Sequence, residues 1–298
     1  MQVLHRARAR FNGAFIVDAL CRETVSTQRV DGLYLRCRSR SMIVCRDAGF
    51  YFMHIPKNGG SSIKDQIKKY DLYEGYFNGL KQHETLGTVD TSHLPLKYLK
   101  AGYPEAYAVI AHLDGYAILR DPFERFASAV AQRFRLTHKI RPDQATDAQI
   151  KGELDAVLER LESNIPLIDR FCFFCPQHMF IEIDDTRMVK NIFHMHNLSE
   201  CIEAISDRLG ANLVADFHSN KTVTFKYQSI SDYVVYLKDL SKKYLPPSLV
   251  DRLRKTALLI LTEDRVNKID QYVLESEDIK SYILEFYKKD FEIIGNLI

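Results

Sequence analysis

"YFMHIPKNGGSSIKDQIKKY", residues 51–70, is the stretch on which the fold turns. The apolar run 51–55 reads as a strand that ends against Pro56. Ile63, Ile67 and Tyr70 then recur at i, i+4 and i+7, the period of a helix from about Ser61 with one buried face. Between strand and helix stand Lys57, Asn58, Gly59, Gly60, Ser61 and Ser62. A strand that runs through a glycine-containing loop into a helix builds a cradle for an anion. The N–H groups of the first helical turn have no partner within the helix, and the helix dipole adds positive potential there. Gly59 and Gly60 let the backbone close on the anion, Ser61 and Ser62 offer hydroxyl donors, and Lys57 supplies a full charge. The segment suits a phosphate or sulfate group. It is not a Walker A loop, in which the lysine follows the last glycine; here Lys57 precedes both.

A second element answers the first. In "LRDPFERFASAVAQRF", Asp121 is an N-cap, Pro122 suits the first helical position and Glu124 completes a capping box. Phe123, Phe126, Ala127, Val130 and Phe134 share one side of the helix, which is expected to pack on a sheet. Asp121, Arg125, Ser128 and Gln132 form a polar stripe on the other. Arg120 follows the strand 116–119, at the carboxyl end where open α/β sheets bind ligands. A guanidinium there can grip a phosphate with two parallel bonds, so Arg120 and Ser128 are assigned to a ligand. Arg125 is expected to pair with Asp121 at i, i+4.

Further strands are read at 33–37, 42–46, 179–183 and 188–193, with "DAG" at 47–49 turning a hairpin. Helices are read at 122–136, 147–163, 198–209 and 277–294, while 71–105 looks irregular and, at that length, functional. Strands alternating with helices, without repeats or linkers, predict one α/β domain over 1–298: a mostly parallel sheet flanked by helices, with 1–48 as an N-terminal extension and 49–298 as the core.

The 298 residues can bury a sizeable core, and 46% hydrophobic with 27% charged residues is an ordinary globular composition. A net charge of +2 gives no whole-surface affinity for nucleic acid or anionic membrane. No apolar run approaches the roughly 18 residues of a membrane span, and the N-terminus lacks the apolar segment of a secretory signal. The six cysteines are dispersed; Cys172 and Cys175 form a C-x-x-C within "FCFFCP", without the second pair a zinc site needs. Buried reduced thiols, a reducing cytoplasmic compartment and no metal are expected.

"FMHIPKNGGSSI" followed by "ILRDPFERFASAV" resembles the carbohydrate-type, heparan sulfate 2-O-sulfotransferase-like family of sulfotransferases. Its pattern is roughly F-x-H-I-P-K-T/S-G-G-T/S-S, then R-D/N-P-x-x-R-x-x-S; Asn58 replaces the usual Thr or Ser. "CPQHMFI", "HSNKT" and "YKKDFEIIG" are similar to later family segments, so the resemblance runs from about residue 50 to the C-terminus. It departs at "HMHNL", where His196 stands in place of the family's glutamate. The resemblance implies a P-loop-like α/β fold and the donor 3′-phosphoadenosine 5′-phosphosulfate (PAPS), with PAP as product. Lys57 and the 58–62 loop would hold the 5′-phosphosulfate, and Arg120 with Ser128 the 3′-phosphate.

Such a transfer is an in-line displacement in which Lys57 meets charge building on the bridging oxygen and loop amides meet the equatorial oxygens. The acceptor must lose a proton, most often to a histidine. His93, between the two motifs, resembles the family's base in its position; His83 and His112 are the other candidates, and His54 reads as structural. A sugar or small-metabolite hydroxyl or amine is the expected acceptor, contacted from 71–105 and 135–175. Two other readings stand beside this one: a P-loop kinase or NTPase, and a non-catalytic nucleotide binder.

Overall fold

The computed structural model of the chain describes residues 42–214 and 268–297. The expected strand at 33–37 and the "HSNKT" loop lie outside these residues. In chain order, β1 (Met42–Cys45) turns through Gly49, at φ +73°, into β2 (Phe50–Met53), and α1 (Ser61–Ile67) follows the glycine loop. The segment expected to be irregular holds a hairpin, β3 (Leu80–His83) and β4 (Gly87–Asp90), a 3-10 turn at Thr91–His93, and two helices, α2 (Leu96–Gly102) and α3 (Pro104–Ile110). Next come β5 (Asp114–Leu119), α4 (Pro122–His138) and α5 (Asp147–Glu162). A single helical turn, α6 (His178–Ile181), leads to the short pair β6 (Glu182–Ile183) and β7 (Thr186–Arg187), then β8 (Asn191–His194) and α7 (Leu198–Leu209). Three helices close the described chain: α8 (Lys268–Glu275), α9 (Glu277–Phe286) and α10 (Lys288–Gly295).

The central sheet has the order β1-β2-β5-β8; β2, β5 and β8 run parallel and β1 is antiparallel to β2. The mixed α/β architecture with a mostly parallel sheet flanked by helices is as expected. The β1–β2 hairpin straddles residue 48, so its first strand belongs to the sheet. Alternation along the strands divides the core in two. Ile43, Cys45, Phe50, Phe52, Tyr116 and Ile118 face α1 and α7. Met42, Val44, Tyr51, Met53, Ala117 and Leu119 face α2, α3 and the Phe180–Val189 segment. Burial on both faces is why "FYFM" reads as an unbroken apolar run.

Three expectations are corrected. Residues 179–183 were expected as a strand, but most of them form the helical turn α6, with only Glu182–Ile183 extended. A short apolar run carries no period that separates the two. The 277–294 helix breaks at Tyr287, whose buried hydroxyl donates to the Phe174 carbonyl at 2.7 Å. Finally, the apolar side of α4 does not lie on the sheet. Phe126, Val130 and Phe134 pack with α5, α8, α9 and Phe174 in a helical cluster of their own. Amphipathicity records that a face is buried, not what buries it.

Candidate functional site

The parallel strands β2, β5 and β8 deliver their carboxyl ends to one edge, and the registers Met53↔Ala117 and Leu119↔His194 keep those ends level. The 56–60 loop leaves β2 there, Arg120 leaves β5, and His194 closes β8.

The loop alternates in hand: Lys57 has φ +70°, Gly59 +77° and Gly60 −66°, with Asn58 between the first two on the negative side. Alternation of this kind turns successive N–H groups toward one concave side, the arrangement of an anion nest. The carbonyls are held elsewhere. Arg125 Nε donates to the Pro56 carbonyl at 3.1 Å, Arg120 Nη1 to the Lys57 carbonyl at 3.2 Å, and Ser62 Oγ to the Gly59 carbonyl at 3.3 Å. Among the described residues nothing accepts from the N–H groups of Gly59, Gly60, Ser61 or Ser62, and the N-cap Gly60 has no side chain to do so. A group carrying several anionic oxygens fits this donor set, with Lys57 in the same loop and the Arg120 guanidinium against its carbonyl.

The two glycines answer different needs. Gly59 supplies the left-handed φ. Gly60 supplies space, since a Cβ there would come within 2.9 Å of His54 Cδ2 and 3.1 Å of Phe52 Cζ. Asn58 does not present its side chain to a ligand. It is buried, and its Nδ2 donates to the Ile118 carbonyl and to Gln177 Oε1, both at 2.7 Å.

Arg120 reaches both the loop and Glu124, whose Oε2 lies 3.0 Å from Arg120 Nε. Ser128 stands two turns up α4, half-buried, and no hydrogen bond joins it to Arg120 or the loop among the described residues. Arg125 corrects the expected pairing with Asp121. It is buried and bonds the carbonyls of Pro56 and Cys175, the latter at 2.8 Å. From the polar stripe of α4, Arg125 thus reaches the loop, where an arginine's fork satisfies carbonyls that burial would leave unpaired.

The histidines separate clearly. His93 sits on the 3-10 turn behind β4, 4% exposed, with Nδ1 3.4 Å from the His54 carbonyl and its ring between those of His54 and Phe173. Burial pushes its pKa down from 6.5 to about 4; Asp90 acts in the opposite direction, and Lys64 and Arg125 add to the lowering. The ring is neutral at pH 7 and lies beside the loop. His83 is fixed in structure: its Nε2 lies 3.0 Å from the Gly102 carbonyl and its Nδ1 accepts from the N–H groups of Thr85 and Leu86. His112 is exposed and precedes β5, at the amino end of a strand roughly 20 Å long, away from the edge that carries Arg120. His196 is exposed; its N–H donates to Nδ1 of His194, which is buried at the β8 end with its pKa lowered, chiefly by burial and then by His196.

Four residues of this edge escaped the reading of the sequence: Lys64, Gln177, His194 and Asp290. Lys64 is 4% exposed on α1 and close enough to His93 to act on it. Gln177 and Asp290 fall in "CPQHMFI" and "YKKDFEIIG", segments that signal something but not that they meet. Cys45, Cys172, Cys175 and Cys201 are buried free thiols whose pKa values burial raises. Among the described residues no cluster of His, Cys, Asp and Glu could hold a metal ion, and no helix is long and apolar enough to cross a membrane. A scan against protein-family models finds no match, and searches of curated proteins and of solved structures find no similar chain.

Proposed function

We propose that the chain is a sulfotransferase that takes the sulfuryl group of PAPS to a hydroxyl or amine, with a sugar or small metabolite as acceptor. The observation that carries this reading is the joining of the two motif segments: Arg120 and Arg125 hold the carbonyls of Lys57 and Pro56, so that the loop's N–H groups remain for an anion. In this reading the 58–62 loop and Lys57 hold the phosphosulfate and Arg120 the 3′-phosphate, with Ser128 beside it. The donor supplies the activated sulfuryl group. Lys57 and the loop N–H groups balance negative charge where it gathers, and they do so in place, without reorganisation at the moment of reaction. Lys57 precedes both glycines, whereas a Walker A lysine follows the last one, which favours this reading over a P-loop kinase or NTPase. His93, whose ring packs against His54 just ahead of the loop, is the histidine to which this reading assigns the acceptor's proton.

The test is a calorimetric titration with PAP, against ATP with magnesium, on the native chain and on Arg120→Ala. Metal-independent PAP binding, weakened at least tenfold by the substitution, is the expected result. Binding of ATP with magnesium alone would replace this reading with a kinase. PAP binding without sulfate transfer to any acceptor offered would leave a nucleotide-binding protein.

A further inference from the structure

Gln177 is fully buried, yet its amide is spent on the two segments that frame the cradle. Its Oε1 accepts from Asn58 Nδ2 at 2.7 Å and from the Arg120 N–H at 3.0 Å. Its Nε2 donates to the Arg120 carbonyl at 2.9 Å. Taking both the N–H and the carbonyl of one residue, the amide acts on Arg120 as a neighbouring strand would, one residue past the end of β5. Gln177 is itself held from the C-terminal end of the chain. Its N–H donates to Asp290 Oδ2 at 2.7 Å, while Asp290 Oδ1 takes the N–H and ring Nδ1 of His178, each at 2.9 Å. Asp290 is fully buried on α10.

Asn58 adds an independent point. Its Oδ1 is buried with no partner, so the side chain is anchored through Nδ2 alone, to Ile118 and to Gln177. A buried polar atom left unpaired costs on the order of 1–3 kcal/mol, and it is tolerated where the surroundings over-determine the geometry. Without Gln177 the loop side chain keeps one tether, to β5, and Arg120 loses its clamp.

Resting on the donor site proposed above, we infer that Gln177 is a positioning residue for it. Gln177 sets the spacing between the loop that carries Lys57 and the strand end that carries Arg120, and Asp290 holds it in register. Gln177 touches no reacting group in this role. It makes one anion site out of two segments that are 63 residues apart in the chain.

Two substitutions test this. Gln177→Met keeps the length and removes every side-chain hydrogen bond. Gln177→Glu keeps the acceptor oxygen, and in its protonated form it replaces the amide donor with an O–H; burial favours that neutral form. PAP affinity is measured by calorimetry from pH 8 to pH 5.5, with urea unfolding of each variant alongside. Gln177→Met should unfold cooperatively and bind PAP at least tenfold more weakly than the native chain. The ratio of the Gln177→Glu dissociation constant to the native one should exceed ten at pH 8 and fall toward one at pH 5.5. Urea unfolding at each pH separates this from a general loss of packing, which would lower stability in step with affinity. Native-like PAP binding by a folded Gln177→Met would overturn the inference and leave the donor site standing. If Gln177→Met does not fold, a pH-independent ratio for Gln177→Glu overturns it equally. A native chain that binds no PAP removes the donor site, and this inference with it.

Discussion

Lys57 sits at φ +70°, a left-handed conformation that costs an L-residue on the order of 1 kcal/mol. Its carbonyl is held by Arg120, and the preceding one by Arg125. The strain belongs to the alternation that gathers the loop's N–H groups, and nothing in the residue types of "PKNGG" announced it beyond the two glycines. Asn58 was legible as a departure from Thr or Ser but not as an inward anchor, because a polar residue in a polar loop gives no direction to its side chain. His93 invites a measurement at this scale. Its pKa is lowered in the fold, from 6.5 to about 4, so the folded state binds the proton less readily than the unfolded chain. The stabilisation is fully present above about pH 6.5 and is lost as pH falls toward 4, by on the order of 3 kcal/mol for a shift of this size. Urea unfolding between pH 4 and 7 should show stability rising with pH, and His93→Gln should flatten that slope; the lowered His194 leaves a smaller residual one. A slope unchanged in the variant would mean that His93 is open to solvent.

At the scale of elements, α4 shows what periodicity can and cannot tell. Half of its N-terminal cap was legible: Asp121 accepts the Glu124 N–H at 3.1 Å and Pro122 stands in the first turn, because capping is local chemistry, but the expected return bond of a capping box does not form and the Glu124 carboxylate takes Arg120 Nε instead. Its partners were not legible. The apolar face packs on helices, and the polar stripe carries a buried arginine to the Pro56 and Cys175 carbonyls. Arg125→Met keeps much of the volume and leaves both carbonyls without a donor. A loss of about 2–4 kcal/mol is expected, larger than any i, i+4 ion pair with Asp121 would account for. Urea titration decides between them, since a loss below about 0.5 kcal/mol would match the surface pair. The 71–105 segment makes the complementary point. Its hairpin and two short helices are each four to seven residues long, too brief for a period to stand out among the glycines and prolines.

For the molecule as a whole, the sheet brings loop and Arg120 to one edge, while Gln177 and Asp290 tie that edge to α6 and α10. A ligand seated there stabilises all of these segments together. At a hundredfold excess over its dissociation constant, PAP should raise stability by about 2.7 kcal/mol, read as a rise of one unfolding transition in scanning calorimetry. Lys57→Ala should abolish the rise. A split transition, with α10 melting at its native temperature, would show that the C-terminal helices are not coupled to the site.

What the sequence determined by itself was local or periodic: the β1–β2 hairpin, the strand–glycine loop–helix unit, the Asp121 N-cap of α4 and the apolar runs of a sheet covered on both faces. Turn chemistry, capping and alternation act between residues a few positions apart, so they can be read from neighbours. The tertiary structure alone decided that α4 packs on helices, that Arg125 and Asn58 point inward, that His112 lies at the far end of its strand, and that Gln177 and Asp290 meet the loop. Those facts depend on contacts between distant residues, such as Gln177 and Asp290, which are 113 residues apart in the chain. A buried hydrogen bond leaves no periodic trace in the chain that forms it, because its partner is chosen by the packing of the whole.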